Sequence, residues 1–185
     1  KLDKGIFYQI GDVALVLYIN IGSMKDKYVS SMVSSNVLSI WEKTKKEVIE
    51  TAIRNTYRLF PPRMVDVYSL CFGLSEEQEF MHMVPETVKN NRGDGIFVTT
   101  VNYVNGAIAV FTPGVMERLS ELLESDLYFG FLNTEAAVIH KSNLVSPEVI
   151  RDALRFQNND CGSEEFLSEK VYFYSRERDR IEVVG

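Results

Sequence analysis

The stretch Phe97–Leu123, FVTTVNYVNGAIAVFTPGVMERLSELL, constrains this chain more than any other. Asn105-Gly106 suits a two-residue turn that needs positive φ at both positions, which Asn tolerates and Gly accepts freely. β-Branched and aromatic residues flank it: Val98, Thr99, Thr100, Val101, Tyr103 and Val104 before, Ile108, Val110 and Phe111 after. The period then changes. Thr112 reads as an N-cap and Pro113 as the first helical residue, whose missing N–H has no helical partner to lose. Val115, Met116, Leu119, Leu122 and Leu123 recur as one face of an amphipathic helix. The expected unit is a hairpin with a helix packed on it.

Other segments repeat that rhythm. Asp12–Ile21 reads as a buried strand, and Tyr28–Ser34 as a second, joined through the polar Gly22–Lys27 turn. Asn36–Trp41 reads as a short helix. Thr44 and Glu47 have capping-box spacing, and Val48, Ile49, Ala52, Ile53, Tyr57 and Phe60 mark the buried face of the helix that follows. Pro61-Pro62 ends it. Strands are expected at Tyr128–Leu132, Ala136–Lys141 and Val171–Tyr174, with an edge strand at Ile181–Val184 and a helix opening at Ser146-Pro147.

Hairpin then helix, three times over, gives an α+β fold. Its mainly antiparallel sheet is built from repeated hairpin–helix units with the helices packed on one side. The expectation is a single domain over 1–185, with an internal duplication of 12–60 and 94–124. Residues 64–94 read as a less ordered connection, with a short helix opening at the capping box Ser75–Gln78 and a loop at Asn90–Gly95.

Composition limits the function classes. With 45% hydrophobic and 25% charged residues the chain is neither disordered nor membrane-embedded. Its longest apolar run, Val13–Ile21, contains Asn20 and falls far short of the ~20 residues a bilayer span needs. Residue 1 is Lys, which points to a piece of something longer. Cys71 and Cys161 are too few for a disulfide framework and lack redox or zinc spacing, so reduced thiols in a cytoplasmic protein are expected. Residues 1–63 carry ten Lys/Arg against six Asp/Glu, and the remainder ten against twenty. Lys43, Lys45, Lys46, Arg54 and Arg58 could line one basic helix stripe for nucleic acid. The acidic total of −6 favours a solvated helix face instead.

Four segments, DVALVLYI, LSIWEKTKKEVIETAIRNTYRLFPP, VNGAIAVFTPGVMERL and FLSEKVYFY, together resemble a family of uncharacterised proteins of anaerobic, often gut-dwelling bacteria, catalogued only as a domain of unknown function. The resemblance covers most of residues 12–175 and implies no activity. Where members of that family resemble Pro-Ser-Ser-x-His-Glu, this chain has Phe131-Leu-Asn-Thr-Glu135-Ala136, so no site built on those residues carries over.

The chemistry-bearing candidates are sparse. Arg92-Gly93-Asp94 spells an integrin-recognition tripeptide, but a Gly-rich turn beside a strand accounts for it. Cys71 with His82 or His140 supplies the ingredients of a thiol nucleophile and base, without a surrounding signature. Glu76, Glu77, Glu79 and His82 form an acidic helical face holding one of the two carboxylate–histidine pairs that a di-iron bundle requires. In Val171-Tyr-Phe-Tyr174, Tyr172 and Tyr174 share a face that either is buried or meets a partner. No catalytic set, metal site or cofactor site is assigned. The expected function is a non-enzymatic interaction or binding domain of a cytoplasmic bacterial protein, binding a protein partner or itself. The alternatives are a hydrolase-type enzyme with an unrecognised site, and nucleic-acid binding through the basic first third.

Overall fold

The structure, a computed structural model, describes residues 4–24, 27–66, 93, 95–158 and 166–184. The chain forms two compact units, 1–55 and 56–185.

In the first unit, β1 (Phe7–Ile10) pairs antiparallel with β2 (Val13–Val16), and β3 (Tyr18–Met24) with β4 (Lys27–Met32). The two hairpins meet in a triangle of backbone hydrogen bonds. Ile6 N–H donates to the Val33 carbonyl at 3.0 Å, Val33 N–H to Leu17 at 2.9 Å, and Leu17 N–H to Ile6 at 2.9 Å. Asp12–Ile21 is therefore not one buried strand. It breaks at Leu17, and beyond the break Tyr18, Ile19 and Ile21 are exposed. Helix α1 (Val37–Trp41) follows, then α2 (Lys45–Leu59). The Thr44–Glu47 capping box forms as the spacing predicts: Thr44 N–H donates to Glu47 Oε2 at 2.8 Å and Glu47 N–H to Thr44 Oγ1 at 3.3 Å. The core is small: Ile6, Val33, Val48 and Ile49, with Leu17, Val37, Leu38 and Ile53 against it.

Among the described residues the second unit is built on a six-stranded, wholly antiparallel sheet. Its strands are β5 (Pro62–Asp66), β6 (Ile96–Thr100), β7 (Leu127–Phe131), β8 (Ala137–Lys141), β9 (Val171–Ser175) and β10 (Arg180–Val184), in the order β10-β9-β7-β8-β6-β5. Met64–Asp66, expected within a loose connection, thus lies in β5; the rest of that stretch, with its helix at 75–83, falls outside the described residues apart from Gly93. Pro62 opens an edge strand, the place where a missing N–H costs a sheet least.

The expected hairpin at Asn105-Gly106 does not form. After β6 come two 3-10 segments, Val101–Tyr103 and Gly106–Phe111, with Asn105 between them at φ 49°. The reason is topological. β6 already has β5 on one edge and β8 on the other, so residues 106–111 find no free edge on the strand they follow. They close short-range bonds instead, Ile108 N–H to Asn105 O and Thr112 N–H to Ala109 O, both at 3.1 Å. Gly106 is required for a different reason than a turn: a Cβ there would run into the Glu135 carbonyl and the Thr99 hydroxyl. Thr112 is not the N-cap either. Its hydroxyl donates back to Ala109 O at 2.6 Å, and α3 (Val115–Leu123) begins after Gly114 at φ 77°. The apolar face of α3 holds, with Val115, Met116, Leu119 and Leu123 buried.

Among the described residues a helix follows the β3–β4 and β7–β8 hairpins, but the expected hairpin of 97–111 is absent, so the repeated hairpin–helix pattern does not hold. Nor do the helices share one side of the large sheet. α4 (Pro147–Asn158) places Ile150 and Leu154 on the face of Leu132, Val138 and Val171, and Gly130 leaves room for the Leu154 methyls. The opposite face carries Phe129, Phe131 and Tyr172, whose rings pack at centroid distances of 5.2–5.9 Å and meet Phe111, just before α3. Both faces of the central strands are apolar, so each draws a helix.

Candidate functional site

Two features stand out among the described residues: an acidic cleft in the second unit and an uncovered ribbon in the first. The cleft, of about 610 Å³, lies between α3 and the β9–β10 turn. Glu117 and Glu121 come from the solvent side of α3, Glu124 and Asp126 from the link to β7, and Arg176, Glu177 and Asp179 from the turn. Tyr174 forms its floor because it pairs with Leu127 and so points to the α3 side of the sheet.

Internal hydrogen bonds set this geometry. Tyr174 OH donates to Asp179 Oδ1 at 2.7 Å. Arg176 N–H donates to Asp126 Oδ1 at 2.8 Å, tying the turn to the α3–β7 link. Ser120 donates to Glu117 O at 2.7 Å and Ser125 to Asp126 O at 2.6 Å, so both hydroxyls are engaged with backbone. Burial raises the Tyr174 phenol above its ordinary range, and the hydrogen bond and charge of Asp179, with Glu117 and Glu121, raise it further. The phenol stays a donor. Six carboxylates line the cleft with the Arg176 guanidinium, and although Arg118 pairs with Glu121 at 3.2 Å the balance stays negative, which suits cationic groups.

The ribbon is β3–β4. Tyr18 is 54% and Ile21 66% exposed, and Ile19 and Val29 are exposed as well. The register puts Ile19 and Val29 on one face and Tyr18 on the other, with a bulge at Ile21. Among the described residues β3 and β4 pair only with each other, so both outer edges carry unpaired backbone groups.

Cys71, Cys161, His82, Glu76, Glu77, Glu79, Arg92 and Asp94 lie outside the described residues. His140, half-buried at the end of β8, shares a hydrogen bond with the Gly93 carbonyl at 3.0 Å. Four of the five stripe residues have local partners: Lys43 and Lys46 reach Glu47 and Glu50 at 3.8 Å, Lys45 sits 4.6 Å over the Phe7 ring, and Arg54 donates to Thr51. Tyr172 and Tyr174 are buried, and Phe173 packs on Tyr128 at 5.3 Å, so the last aromatic strand is core. Sequence reasoning missed the acidic cleft, although Glu117, Glu121 and Glu124 recur at helical spacing opposite the buried face of α3.

The model of a family of unknown function, DUF5688, matches residues 1–176. The chain belongs to the DUF5688 family. No curated protein and no solved structure matches this DUF5688 chain, and no match assigns it an activity. Among its described residues no helix is long and apolar enough to cross a membrane, and no group of three or more His, Cys, Asp or Glu is placed to hold a metal ion.

Proposed function

We propose that this DUF5688 chain is a protein-binding domain of the bacterial cytoplasm, and that the β3–β4 ribbon takes an extended, acid-flanked apolar segment of a partner. One observation carries the reading: a two-stranded ribbon with both faces exposed, bearing Tyr18, Ile19, Ile21 and Val29, whose outer edges have no strand partner among the described residues. An isolated two-stranded ribbon is marginal in water, and a third strand would cover its edge and its apolar face together. Charge favours an acidic flank, because residues 1–63 hold ten Lys/Arg against six Asp/Glu. The exposed apolar side chains of the ribbon support protein recognition over nucleic acid. The cytoplasmic setting rests on the two widely spaced cysteines.

Panning a displayed random-peptide library against the chain tests this. The enriched peptides alternate apolar residues and carry Asp or Glu at their ends, and they lose binding to Ile19→Asp and Val29→Asp. Failure to enrich, or binding that ignores both substitutions, overturns it.

A further inference from the structure

Helix α4 carries two apolar stripes where a surface helix needs one. Ile150 and Leu154 are buried against the sheet. Val149, Ala153 and Phe156, spaced i, i+4 and i+7, are exposed on the flank about 110° around the helix from that buried pair. Val149 is 60% exposed, and Phe156, at 76%, is the most exposed large apolar side chain among the described residues. Single exposed apolar residues are commonplace, whereas three aligned on one helix face form a continuous strip.

We propose that α4 is the contact helix of a homodimer, two copies pairing antiparallel about a two-fold axis near Ala153, with Val149 of each copy against Phe156 of the other. The charges on α4 choose both the occupant and the direction. Glu148 lies in the first turn and Arg155 in the last. In the antiparallel register each Glu148 comes beside Arg155 of the other copy, within about 3 Å along the axis at 1.5 Å rise per residue. Parallel packing would set Glu148 beside Glu148. Antiparallel packing also opposes the two helix dipoles. Asp152 approaches its own counterpart at the axis, but Arg155 reaches it at 3.9 Å within the same helix. Arg155 also meets Glu169 at 3.5 Å, and Arg151 donates to Val184 O on the inner side. One helix thus supplies the acid, the base and the apolar strip that a closed two-fold contact needs from both sides, which fits a second copy of this chain.

A single helix pair buries less than the roughly 1,600 Å² of a standard interface, so the dimer is weak and concentration-dependent. The contact lies in the second unit and does not depend on the β3–β4 ribbon. Sedimentation velocity on the whole chain tests it. The mass rises from 21.1 kDa toward twice that value with concentration. Phe156→Glu weakens dimerisation at least about tenfold. Glu148→Arg and Arg155→Glu each weaken it roughly threefold to tenfold, and the two together restore it. Circular dichroism establishes that each variant is folded. A mass of 21.1 kDa at every concentration, a dimer indifferent to Phe156→Glu, or a charge-swapped double variant no better than the singles overturns the proposal.

Discussion

The Tyr174 hydroxyl donates to the Asp179 carboxylate across 2.7 Å, latching the β9–β10 turn to the strand that leads into it. Asp179 holds a left-handed backbone, φ 44°, at the last turn residue before β10. Burial first, and Asp179 second, raise the phenol above its ordinary value of 10.0, so the folded state retains a proton that the unfolded chain gives up there. The stabilisation is complete below about pH 10 and declines as pH rises beyond it. Denaturant unfolding at a series of alkaline pH values should show that decline, and Tyr174→Phe should flatten it. Equal slopes in the two proteins would contradict the latch.

The capping box of α2 predicts the opposite dependence. Hydrogen bonds from the Thr44 backbone and then its side chain, with Lys43 nearby, hold the Glu47 carboxyl below its ordinary 4.5. A lowered folded value means stability that is present above about pH 4.5 and lost as pH falls through the folded value. Thr44→Ala should lower stability by about 1 kcal/mol at neutral pH and remove most of the acid dependence of this helix end. Thermal melts at neutral and acid pH, with Glu47→Gln alongside, measure both effects.

Gly106 and Gly130 are both crowded, but by different things. At Gly130 an added methyl meets the Leu154 side chain, which can shift. At Gly106 it meets the Glu135 carbonyl of the backbone. Gly130→Ala should destabilise by about 1–3 kcal/mol and be partly rescued by Leu154→Val. Gly106→Ala should cost more, with no single-site rescue. Urea midpoints of the three variants decide the order.

Leu119 is fully buried on α3, while Leu122, three positions on, is only half-covered. Leu119→Ala should cost about 2–5 kcal/mol. Leu122→Ala should cost clearly less. Comparable losses would mean that α3 is rotated relative to the sheet.

Legibility in the sequence followed the range of the interactions. The capping box at Thr44, the β3–β4 pairing, the buried stripe of α3, the β7–β8 hairpin, α4 and the edge strand β10 all rest on contacts within about two dozen residues, and local pattern exposed each of them. The segment after β6 was misread because its composition suits a strand, yet β5 and β8 occupy both neighbouring positions. Its folding depends on β5, some 40 residues earlier, and β8, some 30 later. The acidic cleft was illegible for the same reason. Its two halves, residues 117–126 and 174–179, become neighbours only because β7 pairs with β9.

By itself the sequence determined most of the element types, the Thr44 cap and the apolar faces of the helices, because propensity, hydrogen-bond spacing and periodicity act within one or two turns of chain. Tertiary structure alone decided which sheet edges were free, which side of the sheet each helix took, and which apolar side chains stayed uncovered. Those outcomes depend on competition between distant segments for the same edge or face, and no local window contains both competitors.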